Sequence, residues 1–251
     1  MPERAHVPER AAMLERAAML DKSRAVLFDL DDTLYPQRRF LMSGFAAVAR
    51  HLSATFDIES DAAWRTMVQA SRGADRGHEL ECVIETFRLP VAVSTLVRVI
   101  REHAPSLRLR PQTARTLRQL RDTWSLAIVT NGMADIQRRK VAALGLESLV
   151  DTVVYAAEHG SGAGKPDREP FVEALRRLTL DPSHVVFVGD DGRTDIGGAA
   201  ACGLATIQTV QWRTSAQMDV DVRPDAIVQH IADVPTHADA LLSRRWSHHA
   251  A

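Results

Sequence analysis

Residues 25–33 read Ala-Val-Leu-Phe-Asp-Leu-Asp-Asp-Thr, four apolar residues followed at once by a run rich in acids. A strand with one wet face would alternate. An unbroken apolar run suits a strand buried on both faces of a parallel sheet. Outward from this stretch the pattern returns. Residues 125–129 (Ser-Leu-Ala-Ile-Val) end in Thr130-Asn131-Gly132, and residues 185–188 (Val-Val-Phe-Val) end in Gly189-Asp190-Asp191-Gly192. Weaker runs stand at 152–156, 206–210 and 226–228, with helix-period stretches at 113–122, 134–144, 169–178 and 195–202. This alternation predicts an α/β fold with a doubly wound parallel sheet. In such sheets ligands bind beyond the carboxyl ends of the strands, and here the polar clusters follow the strands.

One segment breaks the alternation. Between residues 37 and 105 only helical windows occur, at 41–56, 62–71, 80–87 and 91–102. Such an insertion after the first strand reads as a helical cap over the strand ends. The expected organisation is an N-terminal extension (1–22), a core (23–36 and 106–243), the cap (37–105) and a C-terminal tail (244–251). The extension repeats Glu-Arg-Ala-Ala-Met-Leu from Glu9 and from Glu15. A six-residue period steps round a helix and builds no single stripe.

Composition narrows the function. Of 251 residues, 45% are hydrophobic and 25% charged, an ordinary balance for a protein with a sizeable core. Lys plus Arg total 31 against 32 for Asp plus Glu, a net charge of -1. That excludes a nucleic-acid polymer held by bulk charge. No apolar run approaches the ~18 residues that span a bilayer, and no secretory signal is visible. The two cysteines, Cys82 and Cys202, are too few for a disulfide framework and fit a reducing, cytoplasmic setting as buried, inert thiols. The histidines show no metal-ligand spacing with cysteine, and Trp64 and Trp124 read as packing residues.

The chemistry lies at the strand ends. Asp29 and Asp31, two apart in extended backbone, can both reach one pocket. They could be a nucleophile with an acid-base, a metal site or a turn. Asp190 ends another strand, and Asp195 stands where the next helix begins, a place where an acid also suits a cap. Adjacent strand ends would gather Asp29, Asp31, Asp190 and Asp195 in one crevice, where two unit charges 4 Å apart repel by about 4 kcal/mol at an effective dielectric of 20. Such a cluster needs a cation, and an all-oxygen donor set points to Mg²⁺ rather than zinc. Thr130, Asn131 and Gly132 offer a hydroxyl, an amide and an approachable backbone N–H to an anion. Lys165, in Gly160-Ser161-Gly162-Ala163-Gly164-Lys165-Pro166, supplies the positive charge. This stretch is no nucleotide P-loop, because His159 stands where the first glycine is required and Pro166 where a Ser or Thr is required.

These four elements, in this order, resemble the haloacid dehalogenase superfamily. The motifs are Asp29-Leu30-Asp31-Asp32-Thr33, Thr130, Lys165-Pro166, and Gly189-Asp190 through Asp195. The resemblance spans about residues 25–228, and the insertion looks like the family's type-one cap. It implies Asp29 as the nucleophile that attacks phosphorus and Asp31 as the acid and then base. It implies phosphoryl binding by Thr130, Asn131, Gly132 and Lys165. Mg²⁺ would be held by Asp29, the backbone carbonyl of Asp31, Asp190 and Asp195. Members that displace halide from carbon lack an acid at the position of Asp31, so its presence implies phosphoester chemistry. Asp191, where many relatives carry a small hydroxyl residue, and the charged Asp167-Arg168-Glu169 after motif three depart from the pattern.

The expected activity is a Mg²⁺-dependent phosphatase acting on a small phosphorylated metabolite, as a monomer or homodimer. A phosphomutase with the same aspartyl-phosphate is the nearest alternative. A receiver-like scaffold that binds phosphate without turnover is the alternative from another class. Residues 37–40 stand where the chain leaves the core, either as a solvated hinge or against substrate.

Overall fold

Six strands form one all-parallel sheet in the computed structural model, which describes residues 22–212 and 222–249. They are β1 (Ala25–Phe28), β2 (Ser125–Thr130), β3 (Thr152–Tyr155), β4 (Val185–Gly189), β5 (Ala205–Thr209) and β6 (Ala226–Val228), in the order β3-β2-β1-β4-β5-β6. The predicted doubly wound parallel sheet is therefore present. Every residue of β1, β2, β4 and β5 is buried, as the apolar runs of β1, β2 and β4 require, while β5 also buries the polar Thr206, Gln208 and Thr209. Phe28 lies level with Ile128 on one side and Val188 on the other. Strand order reverses between β1 and β4, and a crevice opens beyond the carboxyl ends at such a switch point.

The helices are α1 (Arg38–Phe56), α2 (Ser60–Ala70), α3 (Glu79–Phe87), α4 (Val93–Glu102), α5 (Pro111–Arg121), α6 (Ala134–Ala143), α7 (Glu169–Leu178), α8 (Gly198–Ala201) and α9 (Val234–His249). Among the described residues no helix is long and apolar enough to cross a membrane. The chain divides into two compact units. Among the described residues, one comprises those up to Tyr35, Leu109–Gln137 and those from Gly145 onward; the other comprises Pro36–Arg108 and Arg138–Leu144. The repeat at 1–20 lies outside the described residues.

In the first unit, α5 starts on Pro111, whose missing N–H costs nothing at a helix start. Helix α7 turns Phe171, Ala174 and Leu175 inward at helical spacing, and Phe171 meets Phe187 of β4 edge-on at 5.2 Å. A Cβ at Gly198 would sit 2.8 Å from the Phe171 ring, so α8 approaches α7 only through a glycine there. Two expectations differ from the structure. The helix expected over 195–202 is confined to α8 and is preceded by a wide π-type turn at Gly192–Gly197. Both Asp195 N and Ile196 N reach the Asp191 carbonyl, at 3.1 Å each, which widens the turn. The tail expected from 244 is instead helical, since α9 runs to His249. Val234, Ala238 and Leu242 are buried four apart, and Arg245 donates to the Gly203 and Leu204 carbonyls.

The second unit is an apolar helical cluster. Phe45, Val48 and Leu52 of α1 share a core with Ala63 and Met67 of α2, Val83 of α3 and Leu96 of α4. Its buried polar side chains are His103 and Lys140. His103 sits against the Ile100 carbonyl at 2.6 Å and Ser43 Oγ at 3.1 Å, and burial pushes its imidazole below the usual range. A carbonyl only accepts, so Nδ1 carries the proton and Nε2 accepts from Ser43. Lys140 Nζ lies 4.6 Å from the centre of the Phe40 ring.

Candidate active site

Asp29 directly follows β1, and its N–H continues the ladder by donating to the Val188 carbonyl at 2.9 Å. That bond holds Asp29 beside the end of β4, where Gly189 leads into Asp190. The wide turn at Gly192–Gly197 folds Asp195 back onto the same strand end. Its Oδ2 accepts from the N–H groups of Asp190 and Asp191, each at 3.1 Å. Gly189 makes this approach possible, because a Cβ there would sit 2.5 Å from that of Asp195. Asp191 instead caps the turn, accepting from Arg193 N at 3.0 Å and Thr194 N at 2.8 Å. Carboxylate oxygens of Asp29, Asp190 and Asp195 thus come within 4.8 Å of one another, all three residues buried.

Lys165 enters this cluster from the loop after the glycine run. Its Nζ stands 2.6 Å from Asp29 Oδ1 and 2.7 Å from Asp195 Oδ1, and the residue is 3% exposed. Asn131 holds the loop in place with both ends of its amide. Its Nδ2 donates to the Lys165 carbonyl at 2.8 Å, and its Oδ1 accepts from the Lys165 N–H at 2.7 Å. Gly164 takes a left-handed backbone (φ 81°), and a Cβ there would meet Asn131 Oδ1 at 2.5 Å.

The charges are out of balance. Burial pushes the Asp29 carboxyl well above the usual range; Lys165 opposes that, while Asp195 and Asp190 add to it. Burial acts to lower Lys165, yet Asp195 and Asp29 outweigh it and hold its ammonium charged beyond the usual lysine range. Three carboxylates meet one ammonium, so the cluster has room for further positive charge, from a proton or a metal ion.

Asp31 stands apart from this triad. The sequence placed four carboxylates in one crevice; the structure brings three together, and the Asp31 carboxylate accepts from two other groups. Tyr35 Oη donates to its Oδ1 at 2.6 Å, and Gln137 Nε2 donates to its Oδ2 at 2.9 Å. The same nitrogen donates to Thr130 Oγ1 at 2.6 Å, at the end of β2. Gly132, two residues on, has φ 109°. Tyr35 returns beside Asp31 because Asp32 takes a left-handed backbone (φ 55°) and donates its N–H to the Tyr35 carbonyl at 2.9 Å.

Tyr35 and Gln137 were not singled out by sequence reasoning, nor was Gln208, whose Nε2 donates to the Asp190 carbonyl at 2.9 Å. Each sits in an otherwise ordinary setting: after a turn, in a first helical turn, and inside a strand. The available signal was a polar group at a position that the fold buries. Gln137 is 2% and Gln208 1% exposed.

Residues 23–203 match the haloacid dehalogenase-like hydrolase family. The chain is 29% identical over 212 residues to a glyceraldehyde 3-phosphate phosphatase from Methanopyrus kandleri, covering 80% of this chain and 89% of that protein. It is 34% identical over 200 residues to a ribulose-1,5-bisphosphate 5-phosphatase from Halopiger xanaduensis, covering 73% and 83%. The solved structure of the HAD-hydrolase YfnB from Bacillus subtilis shares the fold at a TM-score of 0.61 and 19% identity, covering 87% of this chain and 100% of that one. The chain therefore belongs to the haloacid dehalogenase-like hydrolases, on the phosphatase branch of that family.

Proposed function

We propose that this enzyme hydrolyses the phosphate monoester of a small metabolite through a phosphoryl group carried on Asp29. The observation that carries the reading is the buried Lys165 ammonium joined to both Asp29 and Asp195 at the β1–β4 switch point. Phosphoryl transfer asks mainly for positioning and for neutralising charge on the transferred group. In the first half, an Asp29 oxygen bonds to phosphorus as the ester P–O bond breaks, and the departing oxygen takes a proton from Asp31. In the second, water bonds to phosphorus as the Asp29–phosphorus link breaks, and a water proton returns to Asp31. Thr130 and Lys165 supply donors to the phosphoryl oxygens, with Asn131 and Gly132 beside them.

The triad of Asp29, Asp190 and Asp195 fits a hard divalent cation. All its donors are carboxylate oxygens, and its charge exceeds what Lys165 balances. We assign Mg²⁺ to these residues, with the Asp31 backbone carbonyl; when bound it supplies charge neutralisation for the phosphoryl oxygens. The relatives named for glyceraldehyde 3-phosphate and ribulose bisphosphate phosphatases support a phosphorylated sugar or similar metabolite as substrate.

The test is hydrolysis of 4-nitrophenyl phosphate with Mg²⁺ and with chelator, for wild type and Asp29→Asn. Turnover should require Mg²⁺ and fall at least about 10³-fold in the variant. Turnover that persists in Asp29→Asn overturns the assignment of the nucleophile.

A further inference from the structure

We propose that Gln137 is a positioning residue for Asp31, using Thr130 as its second anchor, and so governs protonation of the leaving group; this rests on the phosphatase reading above. One amide nitrogen carries two hydrogens, and here two acceptors meet it, Asp31 Oδ2 at 2.9 Å and Thr130 Oγ1 at 2.6 Å. The nitrogen of the Gln137 amide, and not its oxygen, faces Asp31, because it donates to both acceptors. The amide is itself fixed. Gln137 is 2% exposed, its backbone N–H donates to the Met133 carbonyl at 3.0 Å in the first turn of α6, and its Cδ lies 3.5 Å from where a Cβ on Gly132 would stand.

The anchoring has two consequences. Gln137 and Tyr35 each hold one oxygen of Asp31, so the plane of that carboxyl group is set from both sides. A carboxylate free to rotate would be drawn toward a cation at the neighbouring triad. Held as it is, Asp31 stays available for the proton that passes to the leaving oxygen and returns from water. Thr130 is oriented by the same bond. Its Oγ1 accepts from Gln137, which turns its own hydrogen elsewhere, and the Asn131 carbonyl in that direction is 3.4 Å away, a weak contact. The Thr130 hydroxyl thus keeps a hydrogen for an anionic oxygen at the strand end.

The dependence on leaving group tests the assignment. A nitrophenolate departs without a proton, whereas an alkoxide needs one. Gln137→Met keeps the size of the side chain and removes the donor. With Mg²⁺ present, kcat/KM should fall about 10²-fold or more on an alkyl phosphate such as glycerol phosphate, and less than about 10-fold on 4-nitrophenyl phosphate. Equal losses on the two esters, or no loss on either, overturn the proposal. Gln137→Asn keeps the amide on a side chain one methylene shorter and gives an independent reading that does not rely on the first variant folding. It should show the same split between the two esters. Equal losses on both esters in this variant also overturn the proposal. Asp29→Asn is assayed alongside. Turnover in that variant overturns Asp29 as the nucleophile and with it the two-step reading on which the proton role of Asp31 rests, whereas equal losses with Asp29→Asn inactive condemn only the role of Gln137.

Discussion

Leu52 in the helical unit and Lys165 in the α/β unit are almost equally hidden, at 0% and 3% exposure. Leu52 belongs to a core cluster of apolar residues, whose packing is non-directional and tolerates small shifts. Lys165 makes two charged hydrogen bonds, at 2.6 and 2.7 Å, that set the direction as well as the place of its ammonium. The helical unit buries just His103 and Lys140 among its polar side chains, while the strand ends bury Asp29, Thr130, Gln137, Lys165, Asp190 and Asp195. One region is held by area, which is non-directional. The other is held by direction, where each partner removed leaves another group uncompensated. Two kinds of burial should therefore answer differently to mutation, to pH and to metal.

The largest effect should come from Lys165→Met. It removes the ammonium from among three buried carboxylates, so activity should fall at least about 10²-fold and stability by about 3–5 kcal/mol in chelator. The pH dependence has a definite sign. Asp29 is already pushed up by burial, and without Lys165 it is raised further above its unfolded value. A group raised in the folded state contributes stability below the unfolded value and loses it as pH rises through the folded one. The melting deficit of Lys165→Met should thus grow from acid toward neutral pH and shrink when Mg²⁺ is added. A deficit indifferent to both would erase the contrast between the two regions.

Leu52→Ala comes next. Truncating a fully buried leucine costs about 2–5 kcal/mol through lost transfer energy and the cavity left behind. No titratable group is involved, so denaturant melts should give the same deficit across pH and with or without Mg²⁺. A deficit below about 1 kcal/mol would show that this core closes around the gap.

The smallest effect belongs to Glu173 on α7, which accepts from Arg176 and Arg177 at the surface. Hydrogen bonds from these two arginines draw its carboxyl down to about 2. A depressed folded value means the contribution is present above the unfolded value, near 4.3, and disappears as pH falls through about 2. Glu173→Gln should lower Tm by no more than about 3 °C at neutral pH, with the difference from wild type vanishing in acid. A larger loss would place directional bonding outside the strand ends as well.

How much of this was legible beforehand follows the same division. The buried apolar runs at 25–28, 125–129 and 185–188 announce strands covered on both faces, and the sheet has them at its centre. Asp29 and Asp190 stand out because charged residues directly after such runs lie where a parallel sheet opens, Asp195 because it stands where the next helix begins, and Lys165 because it closes the glycine-rich stretch at 160–164. The π-type turn did not stand out. Helical spacing over 195–202 reads as a plain helix, and only the sharing of the Asp191 carbonyl by two N–H groups shows otherwise. Tyr35 and Gln137 were equally silent, since neither type is unusual after a turn or in a first helical turn.

The sequence by itself determined the α/β alternation, the helical insertion and the concentration of acids with one lysine in a chain of net charge -1. Those properties are local in the chain, set by periodicity and by which residues follow a strand. Only the tertiary structure decided which carboxylates share a cluster and which one stands aside. It drew Asp195 back over Gly189, joined Lys165 to Asn131 across 34 residues, and gave Asp31 to Tyr35 and Gln137. Hydrogen bonds between distant segments depend on distance and angle to a fraction of an ångström, and no spacing along a chain encodes that.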